Sequence, residues 1–163
     1  MTELKTRARA VADLVDGCIV ASVELAAAPE RVFQALASPE IVDWWVNPGV
    51  FDTREWSGDV RVGGQWRASG IARGEAYALE GKFLEVDPPR KLVQTWHFAG
   101  APGTPSTVSY LLEPIDGGTR LTVRHADIAP PDRRSNVGAG WRSSFDRLSE
   151  ILSPQPRRRA DGL

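Results

Sequence analysis

At 163 residues, with 42% hydrophobic and 25% charged side chains, the chain has the length of one domain and the composition of a globular protein with a sizeable core. A formal net charge of -1 gives it no global attraction to nucleic acid or to an anionic membrane. Cys18 is the only cysteine, which excludes an internal disulfide framework and a thiolate-clustered zinc site, and no apolar run near the N-terminus has the length of a signal peptide or a membrane span. A cytoplasmic location is expected.

Residues 1–17 mix charged and apolar side chains, with Leu4, Val11, Leu14 and Val15 at loosely helical spacing, and read as a short extra helix or a frayed arm. "CIVASVEL", from Cys18, alternates and is rich in β-branched residues, which predicts a strand. In "PERVFQAL" Pro29 suits a first helical position, and Val32, Phe33 and Leu36 share one side. A second short helix is expected in "SPEIVDWWVNPG", residues 38–49, with Ser38 as N-cap, Glu40 near the positive end of the dipole and "NPG" as the stop. From Val50 onward Gly and Pro punctuate six strand-like segments, near 50–56, 64–72, 75–86, 91–98, 106–113 and 119–126. Short strands joined by tight turns predict an antiparallel meander. "EGKFLEV" breaks its alternation, which a bulge near Gly81 would reconcile, and "DPPRKL" reads as a stiff hairpin connection.

A long helix is expected over 131–152. Within it Trp141, Phe145, Leu148 and Leu152 recur at i, i+4, i+7 and i+11, so the stripe must be buried against the sheet. The tail "SPQPRRRADGL", 153–163, is Pro- and Arg-rich and reads as a flexible basic end rather than a nucleic-acid site. A curved sheet around one long helix, with two short helices after the first strand, leaves a gap that becomes an apolar pocket. Six tryptophans are spread over nearly every element, and some of them are expected to line it.

Five segments in order, "DWW" at 43–45, "RVGGQW" at 61–66, "EGKFLEVDPPRKLVQTW" at 80–96, "GGTRLTVRH" at 117–125 and "GW" at 140–141, carry a family resemblance. Together they make the chain from about Cys18 to Leu152 similar to the helix-grip superfamily of START-like (SRPBCC) domains. Within it the chain resembles the branch of the activator of Hsp90 ATPase homologues, through their C-terminal domain. The resemblance implies an α+β helix-grip fold, a curved antiparallel sheet wrapped around a C-terminal helix, with a hydrophobic cavity beneath that helix. It also implies a family whose members bind small apolar ligands, act as co-chaperones or serve as cyclases and related enzymes. The chain has no room for the co-chaperone's additional chaperone-binding domain, which puts a chaperone partner in doubt.

The expected partner is therefore a small hydrophobic or aromatic molecule, without cofactor, metal, nucleic acid or membrane insertion. An open sheet edge offers a place for two copies to pair as a homodimer. The residues expected at the ligand are Trp44, Trp45, Trp56, Trp66, Trp96, Tyr110, His125, Trp141 and Phe145. One of Trp44 and Trp45 is expected to pack under the first helix, the other to turn toward a cavity mouth gated by "NPG". Among the polar candidates, His97, His125, Glu80, Glu85, Asp127 and Tyr110, the strand parity of His125 points it inward, where it could hold a ligand's polar group or act as a base. His125 and Tyr110 are the proton-handling pair that a cyclase or hydrolase reading would need, and a third reading is an interaction module with an exposed apolar patch. Neither histidine has metal-ligand spacing, and Asp43 with Arg61 is expected to bridge the short helix to the sheet.

Overall fold

The computed structural model describes residues 9–13, 18–101, 103–128 and 134–152. Nine strands, β1 (Arg9–Asp13), β2 (Cys18–Leu25), β3 (Val46–Asn47), β4 (Phe51–Gly58), β5 (Gln65–Ala72), β6 (Glu75–Asp87), β7 (Lys91–Phe98), β8 (Ser106–Ile115) and β9 (Gly118–Ala126), form one antiparallel sheet. Its order is β1-β2-β9-β8-β7-β6-β5-β4-β3, so every neighbour from β9 back to β3 is a sequential meander. Helices α1 (Pro29–Leu36) and α2 (Ile41–Trp44) follow β2, and α3 (Arg134–Leu152) crosses the concave face. This is the helix-grip α+β fold.

Alternation sets which residues face α3. Pairing across β5 to β9 places Trp66, Gly81, Trp96 and Ser106 in one inward row, and Phe83, Gln94, Val108 and His125 in the next. Leu92, Tyr110 and Val123 make the third. The α3 stripe of Trp141, Phe145, Leu148 and Leu152 is buried over these rows, together with Leu36 and Val32 of α1. Hydrophobic burial of this stripe is what fixes the long helix on the sheet.

Four expectations are corrected. Residues 9–13 are a strand, not the arm or short helix expected of 1–17: Arg9–Asp13 pairs with Cys18–Ser22, and ladder bonds to an open edge outweigh a sparse helical pattern. Residues 1–8 and 14–17, the helix start at 131–133 and the tail 153–163 lie outside the described residues. The β6 bulge falls between Phe83 and Glu85, not at Gly81, which leaves Leu84 exposed while Phe83 stays inside. Gly81 has another reason: a Cβ there would lie 1.9 Å from the Thr95 carbonyl, which accepts the Trp66 indole N–H at 3.0 Å. α2 begins at Ile41, and Ser38 accepts the Glu40 amide at 3.2 Å in the turn before it. Glu40 itself pairs with Arg31 at 2.8 Å. Asp43 and Arg61 do not meet: Arg61 pairs with Asp59 at 2.6 Å, two residues away in its own turn, while Arg147 of α3 donates to the Asp43 carbonyl at 2.8 Å.

Candidate functional site

The two adjacent tryptophans of the α2 turn go to different places, because Trp45 ends the helix and leaves its angular progression. Trp44 is buried, donates its indole N–H to the Ala35 carbonyl of α1 at 2.9 Å and tilts against Phe145 at 6.3 Å. Trp45 points over the sheet and meets three other indoles, Trp66 at 6.2 Å, Trp96 at 6.0 Å and Trp141 at 6.4 Å between centroids. Tyr110 and Phe145 close the other side of Trp141 at 5.8 and 5.6 Å. Seven of the nine residues expected at the ligand, Trp45, Trp66, Trp96, Tyr110, His125, Trp141 and Phe145, thus form one contiguous aromatic array, with Trp44 behind it.

Trp56 stands apart. Its ring lies over Gly58, where a Cβ would come within 2.7 Å of it. It lines a cleft of about 610 Å³ whose apolar part includes Pro39 just before α2, Val42 of α2 and Ala68 of β5, together with Arg54 and Arg67. Ala68 follows Trp66 on the same face of β5, so the cleft and the aromatic array are neighbours along that strand. A second groove of about 360 Å³ runs between Pro48 and the charged flank of α3, where Arg142, Asp146 and Glu150 stand. The chain leading into "NPG" is held to α3 beside that groove. Ser143 donates to the Val46 carbonyl at 3.4 Å and Arg147 to that of Asp43.

His125 is the most constrained polar group. It is 1% exposed, and Trp141 donates its indole N–H to Nδ1 at 3.0 Å. An indole only donates, so Nδ1 carries no proton and the neutral ring must hold its proton on Nε2. Nε2 then donates to Ser106 Oγ at 2.7 Å, and Ser106 donates onward to the Trp96 carbonyl at 3.0 Å. Burial lowers the His125 pKa to about 3, which keeps the ring neutral. Both nitrogens are committed to the protein, so the geometry is that of a structural relay rather than of a waiting base.

One polar group of the same concave rows has the opposite property. The indole N–H of Trp96 is buried with no partner among the described residues, although its ring is half-buried beside Phe98 at 5.6 Å. Gln94, 4% exposed, is inward on β7 next to Trp96, and Tyr110, 2% exposed, stands diagonally from it on β8. The other buried side-chain atoms without a partner among the described residues are Trp56 Nε1 and Ser144 Oγ. Burial pushes the Tyr110 pKa up, which keeps it a neutral O–H donor. Gln94 and Ser106 were not expected as site residues, although both share the strand parity of inward neighbours, Leu92 and Trp96 for Gln94 and Val108 for Ser106.

Of the remaining polar candidates none joins this site. Glu80 lies near Arg67 at 4.0 Å and Glu85 pairs with Lys91 at 3.3 Å, both on the exposed face. His97 opposes Glu80 in the ladder, is half-buried and bonds the Gly103 carbonyl at 3.2 Å, and Asp127 is exposed with φ +63°. Among the described residues no group of three or more His, Cys, Asp or Glu converges as metal ligands would.

A family model described as Activator of Hsp90 ATPase homolog 1-like protein matches residues 26–153. The chain belongs to that family. Solved structures agree with this family's architecture. Protein CV1439 from Chromobacterium violaceum is 29% identical, with a TM-score of 0.73 over 85% of this chain and 99% of that one. Protein Ms6760 from Mycobacterium smegmatis is 24% identical, with a TM-score of 0.77 over 91% and 98%. The AHSA1 (SPO3351) protein from Silicibacter pomeroyi is also 24% identical, with a TM-score of 0.69 over 83% and 96%, and these last two likenesses speak for the fold alone. No curated protein matches the sequence. No helix among the described residues is long and apolar enough to cross a membrane.

Proposed function

We propose that this member of the Activator of Hsp90 ATPase homolog 1-like family binds a small hydrophobic or aromatic molecule between the concave face of the sheet and α3. The observation that carries the reading is Trp96. Its ring joins Trp45, Phe98 and His125, the residue is half-buried, and its N–H is buried without a partner among the described residues. A packed core normally satisfies such a donor, as it does for Trp44, Trp66 and Trp141. An aromatic surface with unmet donors is the usual chemistry of a ligand pocket. The buried single cysteine, Cys18, fits a cytoplasmic setting for this role.

A cyclase or hydrolase reaction in the same place has less support, because His125 has no free nitrogen and burial raises the Tyr110 pKa. An interaction module has little support either. Leu84 and Leu111 are exposed, but the Glu85–Lys91 ion pair lies between their strands. The test is calorimetric titration with two apolar hydrocarbons, tetralin and fluorene, and their ketones, 1-tetralone and 9-fluorenone, alongside native mass spectrometry of freshly purified protein. Binding of at least one with a dissociation constant in the micromolar range, on the order of −8 kcal/mol, is expected. Absence of heat for all four, with no co-purified mass, would sink the reading.

A further inference from the structure

We infer that the cleft beside α2 is a second binding site, separate from the concave face under α3, and that it takes a small aromatic carboxylate. At about 610 Å³ the cleft falls within the roughly 300 to 1,000 Å³ of small-molecule sites.

The cleft lies along an edge of the sheet. β3 pairs with β4 only at Phe51 and Asp52, so from Thr53 onward β4 has no strand on its outer side. Pro39 and Val42 line the cleft together with residues 54–57 of that strand. Pro39, Val42, Trp56 and Ala68 give a flat ring an apolar surface to lie on. No hydrogen bond among the described residues fixes the Trp56 indole, in contrast to those of Trp44, Trp66 and Trp141.

Charge selects the other end of the ligand. The charged residues of the lining are Arg54, Glu55 and Arg67, so two cations stand against one anion and the cleft carries a net +1. Glu55 accepts the Ser69 hydroxyl at 3.2 Å. The two guanidiniums are loosely engaged. Arg54 meets Asp52 through Nε at 3.3 Å, and Arg67 Nε lies 4.0 Å from Glu80, beyond hydrogen-bond length. Arg31, Arg61, Arg90 and Arg120 hold their carboxylates at 2.6 to 3.1 Å. The Arg54 and Arg67 side chains are 63% and 68% exposed, so either fork can turn to a ligand carboxylate without giving up a buried ion pair. A monoanion with a flat apolar body matches this lining. A cation would be repelled by it, and an uncharged ring would leave the guanidiniums unused.

The test compares 2-naphthoate, 2-naphthamide and 2-(aminomethyl)naphthalene on the full chain, by calorimetry and by the indole N–H signals in proton NMR. Naphthoate should bind with a dissociation constant below about 1 mM, about fivefold tighter than the amide or better, with the ammonium weakest. At least one of Arg54→Gln and Arg67→Gln should weaken naphthoate about three- to tenfold while the amide stays within about twofold, and Glu55→Gln should tighten it. All three positions are exposed, so melting temperatures near that of the wild type are expected. The Trp56 signal, identified by its loss in Trp56→Phe, should move as naphthoate is added. Absence of naphthoate binding, equal affinity for acid and amide, or a naphthoate affinity unchanged in both arginine variants would overturn the inference. So would movement of the Trp96 and Trp141 signals with that of Trp56 still, which would put the molecule on the concave face and support the binding reading above instead.

Discussion

Two polar groups on neighbouring rows of the concave face, the His125 ring and the Trp96 indole N–H, are treated in opposite ways. At His125 every polar atom has a partner: the Trp141 N–H, the two imidazole nitrogens, the Ser106 hydroxyl and the Trp96 carbonyl form one chain. The buried Trp96 N–H has no partner among the described residues. Burial alone therefore does not separate scaffold from site. Hydrogen-bond completeness marks candidates, the Trp56 N–H and the Ser144 hydroxyl being two more, because an unmet buried donor costs free energy that a ligand can recover.

The largest expected effect breaks the complete part. His125→Ala removes a buried ring and orphans the Trp141 N–H, and should cost about 3 to 5 kcal/mol in chemical denaturation. A loss below about 1 kcal/mol would mean that the relay is not structural. Trp141→Phe keeps most of the ring but withdraws the donor to Nδ1, for an expected loss of about 1 to 3 kcal/mol. Near-UV circular dichroism should report the accompanying change around Trp45, whose ring stacks on Trp141.

Acid titration sharpens the same contrast. His125 titrates near 6.5 when unfolded and at about 3 in the fold, so the folded state binds fewer protons between those values. Its contribution is whole above about pH 6.5 and is lost as the pH falls toward 3, with a slope of at most about 1.4 kcal/mol per pH unit. Comparing the wild type with His125→Gln isolates this slope from that of the carboxylates, and identical slopes would remove His125 as its source. The smallest effect belongs to Gln94, two residues before Trp96 on β7. Gln94→Leu should leave stability within about 0.5 kcal/mol of the wild type or raise it, since it trades a buried amide for an apolar side chain of similar size. A loss above about 2 kcal/mol would show that Gln94 has a structural partner.

Much of the fold was legible in the chain. The strands from β4 to β9 fall close to where Gly and Pro punctuation put them, because a meander of short strands is encoded locally by turn residues and alternation. The α3 stripe was equally clear, since a 3.6-residue period needs no knowledge of the partner surface. Inwardness of His125 followed from parity with Leu121 and Val123. Parity could not say whether that ring would be free or bound, because its partners come from β8 and α3, 19 and 16 residues away. Gln94 was passed over for the same reason. A lone polar residue between Val93 and Thr95 reads as surface until the ladder places it against Phe83 and Val108.

The sequence by itself determined the period of each element, the turns between strands and the apolar stripe of the long helix, because these depend on interactions within a few residues. Tertiary structure decided the rest. It turned residues 9–13 into an edge strand by offering them Cys18–Ser22 to pair with. It moved the β6 bulge to Phe83–Glu85, where the ladder to β7 is reset. It also divided the concave polar groups into satisfied and unsatisfied sets, since a hydrogen bond depends on distances of a few tenths of an ångström between segments remote in the chain.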